Sequence, residues 1–152
     1  MTHNDILRRL RYALDLNDAQ SAHLFALGGH RCTEDDVRAY LLRQDDEGHL
    51  PLDDDGFGAF LDGLIRERRG PPPPGREPPP PAALTNNEIL KKLRIALSMK
   101  SDDIRRIVAI GGRELGKAEL SAFFRPPDHK HFRVCGDQIL RAFLRGLTAK
   151  LR

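Results

Sequence analysis

The sequence predicts an all-α fold made of two tandem copies of a small four-helix unit joined by a proline-rich linker. Three observations support this: an internal repeat, a proline cluster between the copies, and apolar residues at helical spacing within each copy. When residues 2–69 and 85–152 are aligned without a gap, 20 of 68 pairs are identical. We therefore divide the 152 residues into a first repeat at 1–70, a linker at 71–83 and a second repeat at 84–152.

The repeat is strongest in three separated segments that share one offset of 83 residues. An ungapped match at three separate places is hard to obtain by chance, so the chain is a tandem duplication. The matching segments are THNDILRRLRYAL at 2–14 with TNNEILKKLRIAL at 85–97, ALGG at 26–29 with AIGG at 109–112, and AFLDGL at 59–64 with AFLRGL at 142–147.

Helix boundaries can be predicted from capping residues. Thr2 and Thr85 each precede an acid by three positions, the spacing of a capping box, and Glu88 fits that box better than the shorter Asp5. The second helix ends at a glycine pair, where glycine can adopt a left-handed conformation. Thr33 opens a third helix, which is predicted to bury Val37, Tyr40 and Leu41. Asp53, Asp54 and Asp55 cap the fourth.

The fourth helix combines an amphipathic pattern with a glycine. Phe57, Phe60, Leu61, Leu64 and Ile65 recur at the spacing of one helix face. Gly63 and its counterpart Gly146 lie inside this helix, where glycine costs about 1 kcal/mol relative to alanine. Their presence in both copies predicts a close helix–helix approach at this position.

The linker contains eight of the 11 prolines, between Pro71 and Pro81. Such a segment lacks backbone donors and favours extended polyproline II over helix. At about 3.1 Å per residue it reaches on the order of 35 Å. We expect a semi-rigid spacer that holds the two units apart.

The two halves carry opposite charge. Residues 1–70 have nine cationic and 14 acidic side chains, a net charge of −5, whereas residues 71–152 have a net charge of +8. Opposite charges of this size can attract within one chain or between chains. The asymmetry also makes the second repeat the side to which an anionic ligand would bind.

Several classes of protein are disfavoured by the same sequence. It has no apolar run long enough for a transmembrane helix, and its first residues do not resemble a secretory signal. Cys32 and Cys135 are too few for a disulfide framework, which indicates reduced thiols and a cytoplasmic protein. The acidic segment 45–56 does not match a calcium loop, and the histidine-containing segment 128–137 does not match a zinc site. We predict no catalytic residue, cofactor or metal ligand.

The motif NDILRRLRYAL at 4–14, the glycine pair at 28–29 and AFLDGLI at 59–65 resemble the YehS-like family of bacterial proteins. The resemblance covers essentially the whole chain. It implies an α-helical tandem protein of the bacterial cytoplasm, built from two copies of a domain of unknown function. It implies no activity.

Two functional hypotheses follow from these observations. The first is a non-enzymatic protein that acts through a protein partner or self-association, driven by the opposite charges of the two repeats. The alternative is a DNA- or RNA-binding protein that uses the basic residues 84–152 through a helix-turn-helix-like element. Its predicted anion contacts are Lys91, Lys92, Arg94, Arg113, Lys117 and Arg125.

Overall fold

The computed structural model describes residues 1–75 and 83–152, and within these ranges it contains eight α-helices and no β-strand. This confirms the predicted all-α class and the two tandem helical units. The first unit contains α1 (His3–Ala13), α2 (Asp18–Leu27), α3 (Glu34–Leu41) and α4 (Asp54–Arg69), and the second contains α5 (Asn86–Ala96), α6 (Ser101–Ile110), α7 (Lys117–Phe123) and α8 (Asp137–Leu151).

The predicted N-caps are present, with one difference. Thr2 accepts a hydrogen bond from the backbone of Asp5, whose carboxylate accepts one from the backbone of Thr2 in return. At α5 the hydroxyl of Thr85 accepts from the backbone of Glu88, but the structure records no return bond from the glutamate. The prediction that Glu88 forms the better capping box is therefore wrong, and the complete box is at Asp5.

The third and fourth helices also begin as predicted. Thr33 caps α3, which buries Val37 and Tyr40, while Leu41 is only partly buried. Asp53 caps α4, and its carboxylate accepts a hydrogen bond of 2.7 Å from the backbone of Gly56.

In each unit, the second and fourth helices are in close contact at a glycine of the fourth helix. A Cβ atom on Gly63 would lie 1.7 Å from the carbonyl oxygen of Leu24, and one on Gly146 would lie 1.8 Å from that of Ile107. These distances leave no room for any side chain. The predicted close approach is confirmed: α2 packs antiparallel on α4, and α6 packs antiparallel on α8.

The first and last helices of both units are α1, α4, α5 and α8. These four helices pack against one another and run in the same direction, forming a parallel four-helix core. At one end of the α1–α8 pair, the amino group of Met1 lies 3.1 Å from Asp137, and at the other end Arg152 lies 2.8 Å from Asp15. The α4–α5 pair repeats this arrangement. The units are therefore related by an approximate two-fold axis, with α1 on α8 equivalent to α5 on α4.

A buried asparagine in each unit shows how closely the copies agree. The side chain of Asn4 donates to the carbonyls of Tyr40 and Leu50 and accepts from the backbone of Leu52. Asn87 makes the same three bonds in the second unit, to the residues 83 positions further along. Both side chains are only 5% exposed, and their bonds tie the first helix of each unit to the third helix and to the loop before the last helix.

The linker does not separate the units. The buried side chains of both units form one continuous core, so the expectation of two units held apart is wrong. Leu84 donates to Asp54 at the start of α4, whereas Gly70 follows its end, about 24 Å away for a 16-residue helix. Residues 71–83 therefore join two points that lie about this far apart. The predicted polyproline conformation falls mainly on residues 76–82, which lie outside the described residues.

Candidate functional site

The predicted anion contacts are divided by the structure into two sets. Lys92 is 13% exposed and forms an ion pair of 2.5 Å with Asp62. The guanidinium of Arg94 stacks 4.9 Å from the ring centre of Phe124 and donates to the carbonyl of Met99. Both side chains are also only partly exposed, which leaves them poorly placed to receive a ligand.

The other predicted contacts lie around α7. Lys91, Arg113 and Lys117 are exposed, and Arg125 is partly buried. Arg113 and Lys117 lie near the start of α7 and Arg125 follows its end, so a helix of only seven residues separates them. The α6–turn–α7 segment has the predicted order of helix, glycine turn and helix, with a short second helix.

A different cationic surface appears when the two interfaces between the units are compared. We call the contact of α4 with α5 the paired seam, because Asp62 of α4 neutralises Lys92 of α5 there. The two-fold-related contact is that of α8 with α1. Its equivalent positions carry Arg145 and Arg9, so a carboxylate in one seam is replaced by a guanidinium in the other.

Two further arginines continue this surface along α8. Residues four and seven positions apart share one side of a helix, so Arg141, Arg145 and Arg152 form a stripe beside α1. On α4 the equivalent positions hold Gly58, Asp62 and Arg69. We call the group of Arg9, Arg141, Arg145 and Arg152 the arginine seam. It contains four guanidinium groups, of which that of Arg152 is paired with Asp15.

The contacts of the seam residues fix its local geometry. Arg145 donates twice to the carbonyl of Gly111, at 3.1 and 2.8 Å, which holds its side chain at the end of α6. Arg152 pairs with Asp15 and stacks 4.5 Å from the ring centre of Tyr12, which is 54% exposed. Within residues 1–75 and 83–152, no acidic side chain forms an ion pair with Arg9, Arg141 or Arg145.

At the end of the four-helix core where its helices begin, two aspartates already have hydrogen-bond partners within the protein. His3 and the backbone of Leu84 hydrogen-bond to Asp54, and these bonds lower the pKa of its carboxyl group. The side chain of Asn86 and the amino group of Met1 likewise lower the pKa of Asp137. Both carboxylates also lie in the first turn of a helix, where the helix dipole favours negative charge.

The thiols offer little reactivity. Burial raises the pKa of Cys32 to about 11 and that of Cys135 to about 12, so both remain protonated at neutral pH. No group of three potential metal ligands converges anywhere in the described ranges. None of the described helices combines the length and apolarity needed to cross a bilayer.

None of the four seam residues is among the predicted anion contacts, although Lys92, the counterpart of Arg9, is. The signal was available in the alignment of the copies, because Gly58 and Asp62 of the first unit become arginine in the second. That these arginines lie at an interface between the units follows only from the packing of α8 against α1. That packing joins opposite ends of the chain and cannot be recognised from local patterns.

A family model described as a protein of unknown function (DUF1456) matches residues 3–70 and again residues 86–152. The chain belongs to this family. It is similar to the uncharacterized protein YehS of Escherichia coli (strain K12), with 43% identity over 150 residues, covering 99% of this chain and 96% of that protein. These findings confirm the resemblance to the YehS-like family and its tandem organisation. No solved structure matches the chain.

Proposed function

We propose that this chain is a non-enzymatic nucleic-acid-binding protein that holds a phosphate backbone along the arginine seam. Three of the four seam residues belong to the basic second repeat, and Arg9 is supplied by the first. The observation that carries the proposal is the exchange of charge between the two seams: the paired seam has Asp62 where the arginine seam has Arg145.

The electrostatics of the seam favour an anionic ligand. Unpaired like charges on adjacent helices repel each other, and the paired seam demonstrates that an acid fits at this position. A phosphate bound at Arg9 or at Arg145 would supply the negative charge that Asp62 supplies in the paired seam. Guanidinium groups suit the role because their planar fork can donate two hydrogen bonds to one phosphate.

The shape of the surface suits a strand better than a single ion. Arg141 and Arg145 are separated by about 6 Å along α8, and Arg152 lies about 10 Å further. Tyr12 provides an exposed aromatic ring at the end of the seam where Arg152 stacks on it. Basic residues interleaved with aromatic rings are typical of single-strand binding, because bases stack on the rings while phosphates contact the cations.

The direct test is fluorescence anisotropy with labelled single-stranded and duplex oligonucleotides of mixed sequence, from about 25 to 200 mM salt. If three or four phosphates are bound, the logarithm of affinity should fall against that of salt with a slope of about −2 to −3 for a single strand. Arg145→Asp copies the residue of the paired seam. We expect it to weaken binding at least tenfold.

A control variant makes this result specific. Lys91→Glu with Lys117→Glu reverses exposed charges around α7 and leaves the seam intact. It should retain most of the affinity. Loss of binding in this variant, with Arg145→Asp unaffected, would place the interface at α7 and overturn the role of the seam. No binding by the parent protein would overturn the function itself.

Self-association is the second candidate, and the parallel core favours one form of it. The contacts α1–α8 and α4–α5 would be the same if the two units came from different chains. An exchanged dimer would therefore bury the same core without any new surface. The opposite charges of the units would then act within such a dimer, as they do in the Asp62–Lys92 and Asp15–Arg152 pairs.

Sedimentation analysis of the full chain tests this second candidate. An exchanged dimer should have twice the mass of the 17.1 kDa chain and should persist in about 0.5 M salt, because apolar packing holds it. Deletion of residues 71–81 provides a positive control, since the two residues left between Gly70 and Leu84 cannot cover about 24 Å. A full-length chain that remains monomeric while the deletion variant dimerises would exclude exchange in the native protein.

A further inference from the structure

A cavity of about 480 Å³ opens at the end of the core where the four parallel helices terminate. It lies between the end of α1, the turn after α5, and α6 and α8 of the second unit. Its larger apolar side chains are Leu14, Leu97, Met99, Ile107, Leu147 and Leu151. This volume falls within the range of pockets that enclose small organic ligands.

The acidic side chains at the cavity already have partners. Asp15 lies 2.8 Å from Arg152. Asp103 accepts a hydrogen bond of 2.8 Å from the backbone of Lys100, and its other carboxylate oxygen is 3.6 Å from Arg106. Their charges are therefore compensated inside the protein.

The basic side chains at the cavity differ from the acidic ones in their exposure and in their ion pairing. Arg68 of α4 and Lys150 of α8 are exposed and line the opening. Neither forms an ion pair with any residue in the part of the chain that the structure describes. The mouth therefore presents positive charge beside a lining that is apolar and polar in similar parts.

From this arrangement we infer that the cavity binds a small amphiphilic anion, a carboxylate with an unbranched apolar body of medium length. The apolar part packs against Leu97, Met99 and Leu151, which are partly or largely exposed at the cavity. The carboxylate stays at the opening with Arg68 and Lys150. Burial of the apolar part supplies most of the affinity at about 25 cal/mol per Å², and the two cations select the charge of the head group.

The two-fold-related positions support the selective role of the cations. The counterpart of Lys150 is Glu67, and the counterpart of Arg68 is Leu151, which lines the same cavity. One copy therefore carries an acid where the other carries the base Lys150. The duplicated unit can accept both residue types at these places, so exchanging them provides substitutions that the fold tolerates.

Isothermal titration calorimetry with decanoate, kept below its micelle concentration, tests the inference on the full-length protein. Decanoate should bind with one-site stoichiometry and a negative heat-capacity change. Decanol and decylamine have similar apolar bodies and should bind at least tenfold more weakly. Acetate should not bind measurably. Equal binding of decanol, or no binding of decanoate, would overturn the inference.

Variants separate this site from the arginine seam. Lys150→Glu together with Arg68→Leu should lower decanoate affinity at least tenfold, and Arg68→Leu alone should lower it less. The melting temperature of each variant without ligand shows whether it is folded. Arg145→Asp should leave decanoate binding unchanged, so loss of the cavity site and loss of the proposed nucleic-acid site give different results. Unchanged affinity in the folded double variant would contradict the role of the cations.

Discussion

The two seams have the same backbone arrangement and opposite electrostatics. In the paired seam, Asp62 neutralises Lys92, so the two charges at this position are satisfied within the interface. In the arginine seam, Arg9 and Arg145 occupy the same two places, and each is held by a neutral partner, the sulfur of Met1 or the carbonyl of Gly111. Duplication thus provides an internal reference: whatever the fold alone requires should appear in both copies, and whatever appears in one copy is available for function.

The packing features are the same in both units, whereas the surface charges differ. The buried asparagines and the helix-contact glycines are the same in both units. The stripe formed by Gly58, Asp62 and Arg69 in one unit is formed by three arginines in the other. We therefore assign the first group to stability and the second to the proposed binding of a ligand.

The largest effect is expected from the helix-contact glycines. Gly63→Ala would place Cβ 1.7 Å from the carbonyl oxygen of Leu24, so α2 and α4 would have to separate. We expect a loss of more than about 3 kcal/mol in the free energy of unfolding, measured by denaturant titration. Gly58→Ala on the same helix meets no atom within 4 Å and should instead stabilise by about 0.5–1 kcal/mol. A neutral Gly63→Ala variant would show that the helices are not in contact there.

A smaller loss should follow removal of either buried asparagine. Asn4→Ala and Asn87→Ala each leave two carbonyls and one amide without their partner. Each should lower the free energy of unfolding by about 2–3 kcal/mol. Because the two sites have the same geometry, their losses should agree within about 1 kcal/mol. A large difference in denaturant titrations would mean that the units are less equivalent than their hydrogen bonds indicate.

The ion pair of the paired seam should contribute less. Asp62→Asn removes the charge that neutralises Lys92 and should cost about 1 kcal/mol or less, since Asp62 is 43% exposed. The loss should shrink as salt is raised. In the arginine seam, Arg9→Gln removes a repulsive charge and should be neutral or slightly stabilising. If both variants destabilise equally in low salt, the electrostatic difference between the seams is absent.

The smallest effect concerns acid stability. The pKa values of Asp54 and Asp137 are lowered in the folded protein, so each carboxylate stabilises the fold fully above the usual aspartate pKa. This stabilisation is lost as the pH falls through the lowered values, below about pH 4. Melting temperatures between pH 7 and pH 3 should therefore decline less in the Asp54→Asn, Asp137→Asn double variant than in the parent. Asp128→Asn, in an exposed loop, should decline like the parent.

Local patterns were sufficient to predict the elements of each unit. The caps at Thr2, Thr33 and Asp53 depend on residues three positions away, and the periodicity of the fourth helix depends on neighbours within two turns. The glycine at 63 could be interpreted correctly because it recurs in the second copy. These features are encoded over short distances along the chain.

The relation between the units could not be predicted in the same way. Both repeats were expected to be separated by the linker, because a proline-rich segment of that length has the reach of a spacer. The same reach is needed to join the end of α4 to the start of α5 when these two helices pack in parallel. Which of these applies is decided by the apolar faces of α1 and α8, and their partners lie more than 120 residues apart in sequence.

The pairing of α1 with α8 also has a consequence for biosynthesis. During translation, the helix that emerges first from the ribosome has to wait for the final 15-residue helix before its apolar face is covered. Until then, the side of α1 that contacts α8 remains open to chaperones or to another nascent chain. On one messenger, the last helix of a leading polypeptide would meet the uncovered first helix of the polypeptide that follows it, and an exchanged dimer would form during synthesis.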